Sequence, residues 1–261
     1  MENKRLFILS PTNSGSSFLT KSLLMCQRTL CIPGTYSSEA CLLPLAKKWG
    51  VAGAQKSRKG RIGAHFDIEI MRDIVEAAWR SHECWEPENK VLVEKSPGYD
   101  IFNAQKMDKL FPNPQFIILM RNPVAYTEGM RRREENASLA NAKKIIDFWK
   151  LCAYKQRENF EKLDFSVVLT YEIMCDFPDQ IEGLIKDFVY PQLNDFSLKK
   201  EVRCGSITHK GHVPHKLKNF NDLQIATLDQ ETIDLVWEEL KDDKEILEFF
   251  NYERDNIGGS S

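Results

Sequence analysis

A chain of 261 residues is long enough to bury the core of one large α/β domain. With 42% hydrophobic and 28% charged residues it reads as globular, and its net charge of −2 supplies no field for nucleic acid or an anionic membrane. No apolar run approaches ~18 residues, and the N-terminus lacks a basic stretch followed by an apolar core, which argues against a transmembrane helix and a signal peptide.

The elements follow in chain order. Short apolar runs bounded by polar residues predict strands at Leu6–Leu9, Val91–Val93, Phe116–Met120 and Phe165–Leu169. Helical patterns lie between and after them at Ser16–Cys26, Ile68–Arg80, Asn103–Leu110, Val124–Arg133, Leu139–Leu163 and Gln180–Phe188. After residue 190 the strand signals stop, and two helices, Gln230–Leu240 and Lys244–Phe250, close the chain. Strand–helix alternation predicts an α/β fold with a doubly wound, mainly parallel central sheet flanked by helices. Residues 1–257 read as a single domain and 258–261 as a flexible tail or a cloning scar. Residues 27–66 carry few periodic signals but hold the basic cluster Lys56-Ser-Arg-Lys-Gly-Arg61, either a substrate-gating segment or a plain surface excursion. The 7 cysteines, odd in number and without C-x-x-C spacing, read as reduced thiols of a cytoplasmic protein.

Ligands of such sheets bind beyond the carboxyl ends of the strands, so the residues just after each apolar run matter most. The first strand runs into Pro11-Thr-Asn-Ser-Gly-Ser-Ser17 and then an amphipathic helix. Unpaired N–H groups at a helix start, together with the helix dipole, favour an anion there. Gly15 lets the backbone approach it, and Ser14, Ser16 and Ser17 add hydroxyl donors. The loop lacks the Gly-Lys-Ser/Thr ending of G-x-x-x-x-G-K-[ST]. The second strand ends in Glu94-Lys-Ser-Pro97, which places Lys95 opposite the first loop. The third runs straight into Arg121-Asn-Pro123, a guanidinium suited to bidentate phosphate recognition, with Pro123 in the first turn of the next helix. A Walker-type enzyme needs a magnesium carboxylate at this point; this chain has a cation instead.

These motifs resemble those of the sulfotransferases that use 3′-phosphoadenylyl sulfate (PAPS). Asn13-Ser-Gly-Ser-Ser17 resembles the 5′-phosphosulfate loop, usually Lys or Arg before Ser-Gly-Thr-Thr. Arg121-Asn-Pro123 resembles the 3′-phosphate element, and Glu94-Lys-Ser-Pro97 a Glu-Lys-Ser/Thr-Pro segment. Val167-Val-Leu-Thr-Tyr-Glu172 with Asp176-Phe-Pro178 resembles the strand ending Tyr-Glu-Asp-Leu. Lys210-Gly-His-Val-Pro214 resembles a late loop that closes over the nucleotide, and Phe249-Phe-Asn-Tyr252 the C-terminal Leu-Gly-Tyr. The match runs from about residue 5 to 252.

The resemblance implies a P-loop-containing nucleotide hydrolase-like sulfotransferase fold. It implies sulfuryl transfer from PAPS to an acceptor hydroxyl or amine, and the short length, the reduced cysteines and the lack of a membrane anchor favour a small-molecule acceptor. Adenosine 3′,5′-bisphosphate (PAP) would be released, with no metal, nucleic acid or membrane involved. It places Thr12, Asn13, Ser14, Gly15, Ser16 and Ser17 on the phosphosulfate, Arg121 on the 3′-phosphate, and Lys210, Gly211 and His212 over the nucleotide.

Two positions depart from the pattern. Asn13 stands where the family usually has a catalytic Lys or Arg, with Lys95 the leading replacement and Lys21 the second. Gly129 stands eight residues after Arg121, where a Ser is usual, with Thr127 a substitute. The base is read as Glu39 or His65, with Asp67 and Glu94 behind them. His209, His212 and His215 lack a completing acid or Cys at helical spacing, so contact with the nucleotide is preferred to a metal site. Trp79, Trp85 and Trp149 read as core or edge aromatics. Two other classes stay open, a P-loop small-molecule kinase and a catalytically inactive nucleotide-binding member of the family.

Overall fold

The structure, a computed structural model, describes residues 4–27, 29–30, 91–95, 98–134, 138–189, 193–205 and 212–254. Glu39, His65, Asp67, Trp79, Trp85, His209, Lys210, Gly211 and the helix expected at Ile68–Arg80 lie outside the described residues.

Strand β1 (Lys4–Leu9) leads through the Pro11–Gly15 loop into helix α1 (Ser16–Leu23). Then come β2 (Thr29–Leu30), β3 (Val91–Glu94), α2 (Tyr99–Leu110), β4 (Pro114–Met120), α3 (Pro123–Glu134), α4 (Leu139–Lys162) and β5 (Ser166–Thr170). Short α5 (Tyr171–Asp176), α6 (Pro178–Phe188), a hairpin of β6 (Val202–Gly205) and β7 (His212–His215), α7 (Asn221–Ile225), α8 (Gln230–Leu240) and α9 (Lys244–Phe249) complete it. The main sheet is parallel in the order β2-β3-β1-β4-β5. The predicted doubly wound α/β architecture is therefore present.

The side-chain period of two splits β1 between two cores. Leu6 and Ile8 pack with Phe18, Leu19 and Leu23 of α1 and with Ile181 and Ile185 of α6. Phe7 and Leu9 face the other way, onto α2, α3, α4 and the C-terminal helices. Phe7 is sandwiched by Phe111 and Phe116, with ring centroids 5.1 and 5.4 Å away. All of these side chains are buried, as expected of strands covered on both faces.

One expectation is corrected. Strands do not stop after residue 190: β6 and β7 pair antiparallel, with Val202 opposite His215 and Cys204 opposite Val213. Val202 and Cys204 are buried in the α1-side core, while Arg203 between them is exposed. This is alternation of a half-buried hairpin, too short to register as an apolar run.

The order β2-β3-β1-β4-β5 places the site. From β1 the chain moves outward to β2 and returns through β3; from β4 it moves to the opposite edge, β5. The carboxyl ends of β1, β3 and β4 therefore converge where the direction of winding reverses, the position at which such sheets leave a crevice. A hydrogen bond of 3.0 Å from Gly98 N to the Ser10 carbonyl fixes the start of α2 against the end of β1. Gln156 of α4 reaches under the same strand end and donates to the Leu9 carbonyl at 2.7 Å.

Candidate functional site

The loop after β1 is shaped by two left-handed residues, Asn13 (φ 70°) and Gly15 (φ 83°). Gly15 caps α1 without a side-chain hydrogen bond, and its carbonyl accepts from Phe18 N (2.9 Å) and Leu19 N (3.2 Å). Only glycine fits here. A Cβ at 15 would lie 2.6 Å from the Tyr171 ring. The hydroxyls of Ser10 and Ser14 are buried and have no hydrogen-bond partner, and neither has Asn13 Nδ2. Buried polar atoms left without partners are costly, and a ligand with hydrogen-bonding groups at this loop would pair them.

Lys95, at the end of β3, is buried and reaches across to α1, its Nζ donating to Ser17 Oγ at 3.0 Å. The expected meeting of Lys95 with the first loop is therefore found. Lys21 turns the other way and donates to the Arg203 carbonyl of β6. Its partial burial lowers its pKa, Cys204 raises it and Arg203 lowers it further. Burial pushes the Cys204 thiol up, and Lys21 and Lys95 pull it back. Cys204 Sγ lies 3.0 Å from His215 Nε2, whose Nδ1 is 3.0 Å from the Lys216 carbonyl.

Arg121 leaves β4 into a closed polar network. Its Nε donates to Asn221 Oδ1 (2.9 Å), Nη1 to the Asn13 carbonyl (3.1 Å) and Nη2 to Gln224 Oε1. The guanidinium lies 4.1 Å from the centroid of the Tyr171 ring. Tyr171 thus forms a plate between Gly15 and Arg121, held by its hydroxyl on the Lys218 carbonyl at 2.6 Å. Asn122 caps α3, its Oδ1 accepting from Val124 N (2.9 Å) and Ala125 N (3.2 Å), with Pro123 in the first turn as expected. Thr127 turns its hydroxyl onto the Pro123 carbonyl at 2.8 Å. Arg131, in the last turns of α3, is buried and donates to Thr232 Oγ1 at 2.6 Å. Trp149 is core and donates its indole N–H to the Arg121 carbonyl at 2.9 Å.

No protein-family model matches the chain, and no curated protein matches it. Solved structures do. A sulfotransferase from Alicyclobacillus acidocaldarius superposes with a TM-score of 0.57 at 14% identity, covering 97% of both chains. The sulfotransferase domain of the Synechococcus PCC 7002 olefin synthase gives 0.56 at 17% identity, over 91% of this chain and 94% of that one. The sulfotransferase domain from the curacin biosynthetic pathway gives 0.52 at 17% identity, over 95% and 97%. The fold is that of a sulfotransferase.

On this sulfotransferase fold the predicted site residues fall into three groups. Thr12 to Ser17, Lys95 and Arg121 come together at the carboxyl ends of β1, β3 and β4, with Gly129 of α3 against Asn13, while Thr127 on the same helix bonds only to the Pro123 carbonyl among the contacts described. Glu94 closes β3, buried beside Phe7 in register. His212 begins β7, opposite Gly205, while Lys210, Gly211, Glu39 and His65 fall outside the described residues. Sequence reasoning missed Asn221 and Gln224, since two amides on a five-residue helix give no periodic signal, and it placed Tyr171 at a strand end without giving it a role. No helix among the described residues is long and apolar enough to cross a membrane.

Proposed function

We propose that the protein transfers a sulfuryl group from PAPS to a hydroxyl or amine of a small-molecule acceptor, releasing PAP. The observation that carries this reading is the contact of Lys95 Nζ with Ser17 Oγ in the first turn of α1, behind a glycine-capped loop with unpartnered buried hydroxyls. The phosphosulfate end of the donor fits these groups. Helix amides and the Ser14 hydroxyl hold the oxyanion, and Lys95 stands at the position of a departing phosphate oxygen. The acceptor oxygen or nitrogen forms a bond to sulfur as the bond from sulfur to the bridging oxygen breaks. The electron pair leaves with that oxygen, and the acceptor proton passes to a base, for which Glu39 and His65 are the candidates. The sulfotransferase fold and the cation in place of a magnesium carboxylate support this chemistry over phosphoryl transfer.

Incubation with radiolabelled PAPS, a panel of small acceptors and chelator tests the reading. Label is expected to move to an acceptor without magnesium. Magnesium-dependent transfer from ATP would overturn the proposal in favour of a kinase. Tight PAP binding with no turnover across the panel would identify a nucleotide-binding module, the reading that the uncharged Asn13 favours.

A further inference from the structure

Glycine is a poor choice for a helix interior, because it gives up more backbone freedom than alanine and packs no side chain. Two glycines stand inside described helices, Gly129 in α3 and Gly183 in α6, and they differ. A Cβ at 183 would meet nothing within 4 Å. A Cβ at 129 would stand 1.7 Å from Asn13 Nδ2, 2.7 Å from its Cγ and 3.0 Å from its Oδ1. The whole carboxamide of Asn13, and not its tip alone, fills the space that a side chain at 129 would need.

Neither side of this contact can give way freely. Helix α3 is buried without a break from Pro123 to Arg131, and it is tied at both ends, by the Asn122 cap and by the bond from Arg131 to Thr232. On the loop side, Asn13 holds a left-handed backbone at φ 70°, a conformation that asparagine adopts more readily than most residues with a side chain. Its carbonyl accepts from Arg121 Nη1 at 3.1 Å. A side chain at 129 would therefore drive the Asn13 carboxamide off its seat, and the loop backbone with it. Two residues further on, Gly15 caps α1, so such a shift would reach the helix start behind which Lys95 meets Ser17.

We infer that Gly129 is a positioning residue of the anion loop and acts through the Asn13 side chain. Positions 13 and 129 are a matched pair: a side chain at 129 is compatible with the loop only when the one at 13 is removed. This rests on the anion loop of the donor reading above and deepens it by naming what sets the conformation of that loop. The two departures from the sulfotransferase pattern are then a single exchange, and adding a side chain at 129 alone lowers ligand affinity although it favours the helix.

A double-mutant cycle in the full chain, read by calorimetric titration with PAP and with inorganic pyrophosphate, tests it. Gly129→Ala is expected to weaken both ligands by about tenfold or more. Asn13→Gly empties the seat and keeps the left-handed backbone, and in that background Gly129→Ala is expected to change affinity by less than about threefold. Gly183→Ala controls for helix propensity and is expected to leave both affinities unchanged. Full affinity in Gly129→Ala overturns the proposal, and so does an equal loss with and without the Asn13 side chain. If Gly129→Ala fails to fold, the cycle is read by circular dichroism: recovery of the folded chain on adding Asn13→Gly supports the pairing, and continued unfolding overturns it. Wild type that binds pyrophosphate and not PAP removes the donor reading alone, with the cycle decided on pyrophosphate. Binding of neither overturns the anion loop, and the proposal with it.

Discussion

The hydroxyl of Tyr252, in the last described turn of the chain, lies 3.2 Å from Oε2 of Glu172 at the start of α5. Glu172 also accepts from Asn122 N at 3.0 Å, so one carboxylate joins the C-terminal tail to the strand end that carries Arg121. Burial, then the neighbouring Glu172 charge, holds the Tyr252 hydroxyl well above the usual tyrosine range, so it remains a donor. Tyr252→Phe is expected to lower stability by about 1–2 kcal/mol, read as a shifted urea midpoint with unchanged slope. A raised folded-state pKa means stability is present below the unfolded value of about 10 and falls as pH rises above it. The Phe variant should lose that part of the alkaline slope.

Lys95→Ala is expected to lower kcat by about 30- to 1,000-fold, on the order of 2–4 kcal/mol, while changing the donor KM by only a few-fold. Steady-state kinetics with varied PAPS checks this. An unchanged kcat would remove Lys95 from the chemistry.

Gly15→Ala meets two obstacles, a left-handed backbone and a Tyr171 ring 2.6 Å from the added carbon. Thermal denaturation should show a loss of about 1–3 kcal/mol from the backbone term alone. A companion Tyr171→Leu should recover part of it, because the ring is the atom group in the way. No recovery would place the cost wholly in the dihedral.

Glu158 on α4 is held down to about 2 by donors from Gln105, Lys155 and Lys162. A depressed carboxylate contributes above its unfolded value of about 4.5, and the contribution is lost as pH falls towards about 2. Wild type should therefore exceed Glu158→Gln in stability at neutral pH, and the gap should close through that acid window. Because the site is open to solvent, added salt should shrink the gap too. Equal stability at pH 7 in low salt would refute the assignment.

Sequence carried four of the five parallel strands because each of those is a short apolar run, and β4 ends at Met120 as its composition predicts, whereas the two-residue edge strand β2 is too short to give such a run. It carried the loop because small residues between a strand and an amphipathic helix have few other uses. What it hid is set by pairs distant in the chain. Val202 and Cys204 gain meaning only against α1, and Gly129 only beneath Asn13. Read along the sequence, Gly129 is a missing hydroxyl; in the fold it is space already taken. The amides that hold Arg121 sit on α7, about 100 residues downstream, in a stretch whose polarity resembles ordinary surface.

The bond from Lys21 to the Arg203 carbonyl has a consequence for synthesis. The loop and its helix are translated well before the groups that brace them, Arg203 directly and Asn221 and Gln224 through Arg121. Such sequence-remote closure slows folding and delays it until the later segments have been made. A nascent chain stalled after α6 would hold every residue of the anion loop and none of these late braces. Competence of the anion loop would then arrive only once α7 has been made, and a product ending before it would be silent instead of half-active.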